Sequence, residues 1–182
     1  QIPALILVGI ENTQRRRDLT GPTEVEKDRE IAPVVGGSEN FREFIRNELF
    51  GEIQNRYRTN DKKGIIGESL AGLFVVETFM LSPAMFDYYI AFDPSIWWND
   101  QYFLKTGKDH LQTIPPEHQK VLWFAGSGAA DISSATRNLA AVFDSENLPN
   151  VRWYYSDEPG EQHSTIFRAT KEKALVWTFN PN

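Results

Sequence analysis

"KKGIIGESLAGLFVVETF", residues 62–79, decides the fold. An apolar run stops at Gly67, exposes Glu68 and Ser69, passes two more small residues and resumes as an apolar stretch. A buried strand that runs straight on into a helix needs a sharp turn, and Gly67-Glu68-Ser69-Leu70-Ala71-Gly72 places a serine at its tip. That is the setting of a nucleophile elbow. Such a turn strains the serine backbone and brings the segments on either side close together, so the residues two before and two after the serine must be small. Gly67 and Ala71 stand there; the usual pattern has glycine at both places, and Gly72 follows Ala71. The backbone N–H of Leu70, at the helix N-terminus, would point at a developing oxyanion. A plain alternative is that Ser69 only caps a helix behind a tight turn.

Outward from the elbow, apolar runs alternate with segments of helical period. Pro3–Ile10 (PALILVGI), Lys63–Ile66, Phe86–Phe92 (FDYYIAF), Lys120–Ala125 (KVLWFA) and Val151–Tyr155 (VRWYY) read as short strands. Helices are expected from about Phe41 to Tyr57, Leu70 to Leu81, Ser133 to Ser145 and Thr165 to Phe179. Glu11–Ser38 reads as a long loop, of the kind that is usually functional or mobile. Strands alternating with helices predict an α/β fold with a mostly parallel sheet. Ligands of such sheets sit beyond the carboxyl ends of the strands. The loops at that rim follow Ile10, Ile66, Phe92, Ala125 and Tyr155, so Ser69 and His163 share it.

Composition bounds the rest. The chain has 182 residues, 41% of them hydrophobic and 24% charged, which is ordinary for one globular domain. The net charge of −6 and a lone basic cluster, Arg15-Arg16-Arg17 followed by Asp18, speak against a nucleic-acid surface. The absence of cysteine excludes disulfides, thiol catalysis and Cys-ligated zinc, and favours neither cytoplasm nor periplasm. No apolar run approaches the roughly 18 residues that span a bilayer. No signal peptide is visible, and the chain, which begins with Gln1, reads as one domain over residues 1–182 that lacks an N-terminal part. Neither an H-E-x-x-H motif nor a close histidine pair is present, so a metal-dependent hydrolase and any metal or organic cofactor are not expected.

A serine hydroxyl is a weak nucleophile and needs a base. Of the three histidines, His110 and His118 lie in a polar, proline-containing stretch and read as solvated. His163, in Gly160-Glu161-Gln162-His163-Ser164, follows the last strand, where the order serine, acid, histidine puts its base. The acid is expected in the loop Gly126–Asp131 (GSGAAD), whose only carboxylate is Asp131. Asp131 could equally cap the following helix; Asp157, Glu158 and Glu161 are alternatives, as is a serine–histidine dyad without an acid. The pair Trp97-Trp98 can line an acyl or aryl pocket or pack its loop onto the domain.

Taken together, VGIEN, RRRDLT, FREFIRNELF, GESLAGLF, FDPSIWW, FAGSG and GEQHS, in this order, resemble the esterase D and enterobactin (siderophore) esterase branch of the α/β-hydrolases from Pro3 to about Phe179. The resemblance implies a three-layer α/β-hydrolase fold and ester hydrolysis through Ser69 and His163. It also implies a substrate contact at Arg15, since Arg15, Asp18 and Leu19 match an Arg-x-x-acid-Leu pattern of that branch. Two departures stand out: siderophore esterases carry a carboxylate close to where Ala129 or Ala130 stands here, and the strands and oxyanion loop preceding Pro3 are absent. The expected function is a serine esterase working through an acyl-enzyme on a small-molecule ester, in a range from small acyl esters to siderophore triesters. Acyl transfer on the same machinery and an inactive hydrolase-like binding module are the alternatives.

Overall fold

The computed structural model describes residues 2–116 and 119–180. Four parallel strands, β1 (Gly64–Glu68), β2 (Tyr88–Phe92), β3 (Lys120–Ser127) and β4 (Val151–Glu158), pair in the order β1-β2-β3-β4. Helices α1 (Arg15–Asp18), α2 (Glu26–Arg29), α3 (Ser38–Phe44) and α4 (Phe50–Arg56) precede the sheet, a π turn at Ile45–Leu49 joining the last two. Helices α5 (Leu70–Leu81), α6 (Trp98–Gln112), α7 (Ala130–Asp144) and α8 (Ile166–Phe179) then alternate with the strands.

The continuous apolar runs exist because both sheet faces are covered, and successive side chains go to opposite cores. Tyr89, Ala91, Leu122 and Phe124 face the large core with residues of α5, α6 and α7. Ile90, Phe92, Trp123 and Ala125 face the smaller one with Ile166 and Ala174 of α8. Three layers result. Each large side chain fully buried there, such as Phe79 or Phe143, contributes on the order of 2 kcal/mol.

Helix α5 is buried on almost every side, so it lacks an amphipathic pattern. Its one charged residue, Glu77, is 2% exposed and is paired: Arg42 and the hydroxyl of Ser38, both from α3, donate to it. A buried carboxylate needs such partners.

Three expectations are corrected. Pro3–Ile10 joins no strand, and its residues are exposed, Leu7 to 88%. Apolar continuity supplies no hydrogen-bond ladder, and among the described residues the run has no paired neighbour. Residues 98–112, for which no element is expected, form α6, whose buried contacts are few (Trp98, Phe103, Gly107, Leu111). His110 within it is half-buried, its Nε2 enclosed without a partner among the described residues, rather than solvated; His118 lies outside the described residues. The 11–37 segment is tied down, by Gly37 N–H on the Arg17 carbonyl (2.8 Å) and Ser38 N–H on that of Thr20 (3.1 Å).

Candidate active site

The elbow has the strain its sequence implies. Ser69 has φ 62° and ψ −122°, a conformation L-residues rarely adopt, between β1 and α5. Gly67 is required because a Cβ there would lie 2.4 Å from the Ala71 carbonyl oxygen. Neighbouring backbone holds the turn: Ser69 N–H donates to the Phe92 carbonyl (3.0 Å), and Ser95 N–H donates to that of Ser69 (3.2 Å). Leu70 opens α5, so its N–H is among the donors left free at a helix start.

A buried carboxylate at the end of the neighbouring strand meets His163. Asp93 follows β2, is fully buried and has φ 41°. Its Oδ2 lies 2.9 Å from His163 Nδ1 and accepts the Ser127 hydroxyl at 2.7 Å, while its Oδ1 accepts the Ser127 N–H at 2.6 Å. A carboxylate only accepts, so Nδ1 carries the histidine proton and Nε2 presents its lone pair. Asp131, the acid expected from the sequence, is not brought to His163: it is exposed on the first turn of α7 and, among the described residues, has no hydrogen-bond or ionic partner.

The GSGAAD loop thus supplies, through Ser127, the donors that hold the Asp93 carboxylate. It also anchors the histidine segment. Gly128 N–H donates to the Glu161 carbonyl at 3.0 Å, and a Cβ on Gly128 would lie 2.5 Å from the Pro159 carbonyl oxygen. The His163 side chain is 44% exposed. Among the described residues Ser69 Oγ makes no hydrogen bond; such contacts often tighten only when substrate binds.

A strained serine at a strand–helix turn and a histidine bonded to a buried aspartate thus share the carboxyl rim of a parallel sheet. A family model described as "Putative esterase" matches residues 1–173. The chain belongs to that esterase family. Among its relatives is the ferri-bacillibactin esterase BesA of Bacillus subtilis (strain 168), 29% identical over 199 residues that take in 100% of this chain and 69% of that protein. Another is the siderophore triacetylfusarinine C esterase of Aspergillus fumigatus, 35% identical over 111 residues, 58% of this chain and 36% of that one. The BES protein of Bacillus cereus superposes with a TM-score of 0.80 at 20% identity, covering 96% of this chain and 69% of that one. An IroE-like serine hydrolase of Shewanella oneidensis gives 0.81 at 23%, covering 98% and 60%. These two likenesses establish the shared fold.

The remaining candidates of this esterase-family chain are placed unequally. Arg15 is exposed on α1, and its charge is felt at Glu68, beside the nucleophile position. Burial pushes the Glu68 carboxyl up; His163 opposes that, Asp93 adds to it, and Arg15 opposes it. Trp98 is 3% exposed and its indole N–H donates to the Gly21 carbonyl at 3.0 Å, so it packs the 11–37 segment down rather than lining a pocket. Trp97 is half-buried beside it, ring centres 6.0 Å apart. Among the described residues no cluster of histidine and carboxylates could hold a metal ion, and no helix is long and apolar enough to cross a membrane.

Proposed function

We propose that this chain is a serine esterase with Ser69 as nucleophile, His163 as base and Asp93 as the acid that orients it, acting on siderophore-type esters. The observation that carries the reading is Asp93: fully buried, fastened by Ser127 and aimed at His163 Nδ1. Ser69 Oγ attacks the ester carbonyl while His163 Nε2 takes its proton. The Leu70 N–H, at the start of α5, stabilises the oxyanion. The imidazolium, steadied by Asp93, returns the proton to the leaving alkoxide, and the acyl group stays on Ser69. Water, deprotonated by His163, then attacks the acyl carbon, and Ser69 leaves as the hydroxyl. The substrate class rests on the relatives named as siderophore esterases and on Arg15, a cation at the rim that would meet an anionic substrate.

Fluorophosphonate labelling read by peptide mass spectrometry tests it. Labelling confined to Ser69, and lost in His163→Ala, is the expected result. An unlabelled Ser69 under conditions that label a known serine esterase would overturn the proposal.

A further inference from the structure

Directly after Trp97-Trp98, three successive non-glycine residues adopt left-handed backbone: Asn99, Asp100 and Gln101, with φ of 48°, 50° and 59°. L-residues visit this region singly, not in runs. Such strain persists only where the surroundings over-determine it. Here they do. Asp28 of α2, 5% exposed, accepts the Asn99 N–H at 2.7 Å and the Thr23 hydroxyl at 2.8 Å through the same oxygen. The Asn99 side-chain oxygen in turn accepts the Glu24 N–H at 3.3 Å. The residue just before the turn, Trp98, donates to the Gly21 carbonyl.

Both partners of this contact lead to the candidate site. The segment that ends in the strained turn begins at Asp93, which holds His163, and includes Ser95, bonded to the Ser69 carbonyl. The segment that carries Asp28 also carries Arg15, whose charge reaches Glu68. We propose that Asp28 is a positioning residue: it locks the left-handed turn to the Arg15-bearing segment and so fixes where that segment stands against the Ser69–His163 rim, on the side that receives the bulk of the ester. Asp93 has separate support from Ser127, and His163 from Asp93 and the loop that Gly128 anchors, so the lock governs substrate fit rather than the chemical step. The proposal rests on the serine-esterase reading.

Wild type, Asp28→Ala and Asp28→Asn are compared on p-nitrophenyl acetate, too small to reach far beyond Ser69, and on enterobactin, a bulky triester. Hydrogen exchange is followed over residues 15–37 and 95–103. Asp28→Ala should raise KM for enterobactin about tenfold with kcat within about threefold, and leave the small ester within about threefold. Exchange should quicken in both segments together. Asp28→Asn should restore most of the loss, because its amide oxygen can accept the Asn99 N–H. If Asp28→Ala does not fold, Thr23→Val, which removes one donor to the same carboxylate, should raise the enterobactin KM about two- to threefold. An unchanged enterobactin KM, an equal fall in kcat on both esters, or faster exchange in one segment alone would overturn the proposal. A wild type inert on both esters would sink the esterase reading instead, and the exchange data would still decide whether Asp28 couples the two segments.

Discussion

Replacing Asp93 by asparagine puts the strongest demand on the proposed chemistry. The Ser127 N–H, 2.6 Å from Asp93 Oδ1, needs an oxygen opposite it. Asparagine must therefore keep its carbonyl there and turn its Nδ2 towards His163 and the Ser127 hydroxyl. An amide nitrogen only donates, so His163 must offer Nδ1 as acceptor and carry its proton on Nε2. In that tautomer Nε2 cannot take a proton from Ser69. Where an aspartate orients a catalytic histidine, this substitution lowers kcat by about 10⁴-fold. His163, 44% exposed, can partly escape by turning to solvent, so a loss of about 10³-fold is expected here. That corresponds to about 4 kcal/mol at 1.36 kcal/mol per decade. The fold should survive, because asparagine tolerates the φ of 41° that Asp93 adopts. Turnover of p-nitrophenyl acetate, measured beside a thermal melt, reads both effects, with Asp131→Asn as the companion variant, expected within about twofold of wild type. An Asp93→Asn protein that melts normally and keeps a third or more of its turnover would refute the assignment.

Gly67→Val should drive a methyl-bearing Cβ into the Ala71 carbonyl, which a Cβ would approach to 2.4 Å, and lower stability by more than about 2 kcal/mol; a melt unchanged from wild type would contradict it. Arg42→Ala leaves the Glu77 carboxylate buried with only the Ser38 hydroxyl, at an expected loss of about 3 kcal/mol. Arg42→Met with Glu77→Leu should recover much of it in denaturant titration, and no recovery would show that the pair matters for more than its charge. Burial raises the Glu68 pKa above its ordinary 4.5, so the folded state holds that proton more tightly. The associated stability is full below the ordinary value and is lost as pH rises through the raised one. Glu68→Gln should then raise the melting temperature at about pH 7.5 and leave it unchanged at about pH 3.5. A gain that persists at the lower pH would count against it.

What could be read from the residues alone follows the range of the forces involved. The elbow was legible because its constraint is local: Gly67 and Ala71 touch four residues apart, and a small residue is the only solution. The strands from β1 to β4 were legible because a doubly covered sheet demands uninterrupted apolar runs. The residues alone put Asp93 on the carboxyl rim but gave it no part as an acid, because the acid was sought in the loop after β3, where Asp131 is the only carboxylate. The difference is a tertiary one, the meeting of Ser127, His163 and a strand end, and only the fold brings these together. Helix α6 was missed because its apolar residues are sparse and its first turn is not right-handed. Trp98 had two equal readings until its N–H found Gly21. Pro3–Ile10 misled in the opposite direction, since its composition is that of a strand but pairing is not a property of composition.

The register of the sheet bears on how the enzyme would age under heat. Glu68 pairs with Phe92, so Ser69 and Asp93 are the next residues on adjacent parallel strands, carried by the same ladder about 5 Å apart. They cannot separate without breaking the sheet. His163 arrives from beyond β4, held on its approach by Gly128 and, among the described residues, at the ring by Asp93 alone. The durability of catalysis is thus divided unequally: two members share the lifetime of the core, and the third has that of a surface loop. Activity should fade with rising temperature before the core melts, and stiffening the stretch from Pro159 to Gln162 should prolong working life more than any improvement to the interior.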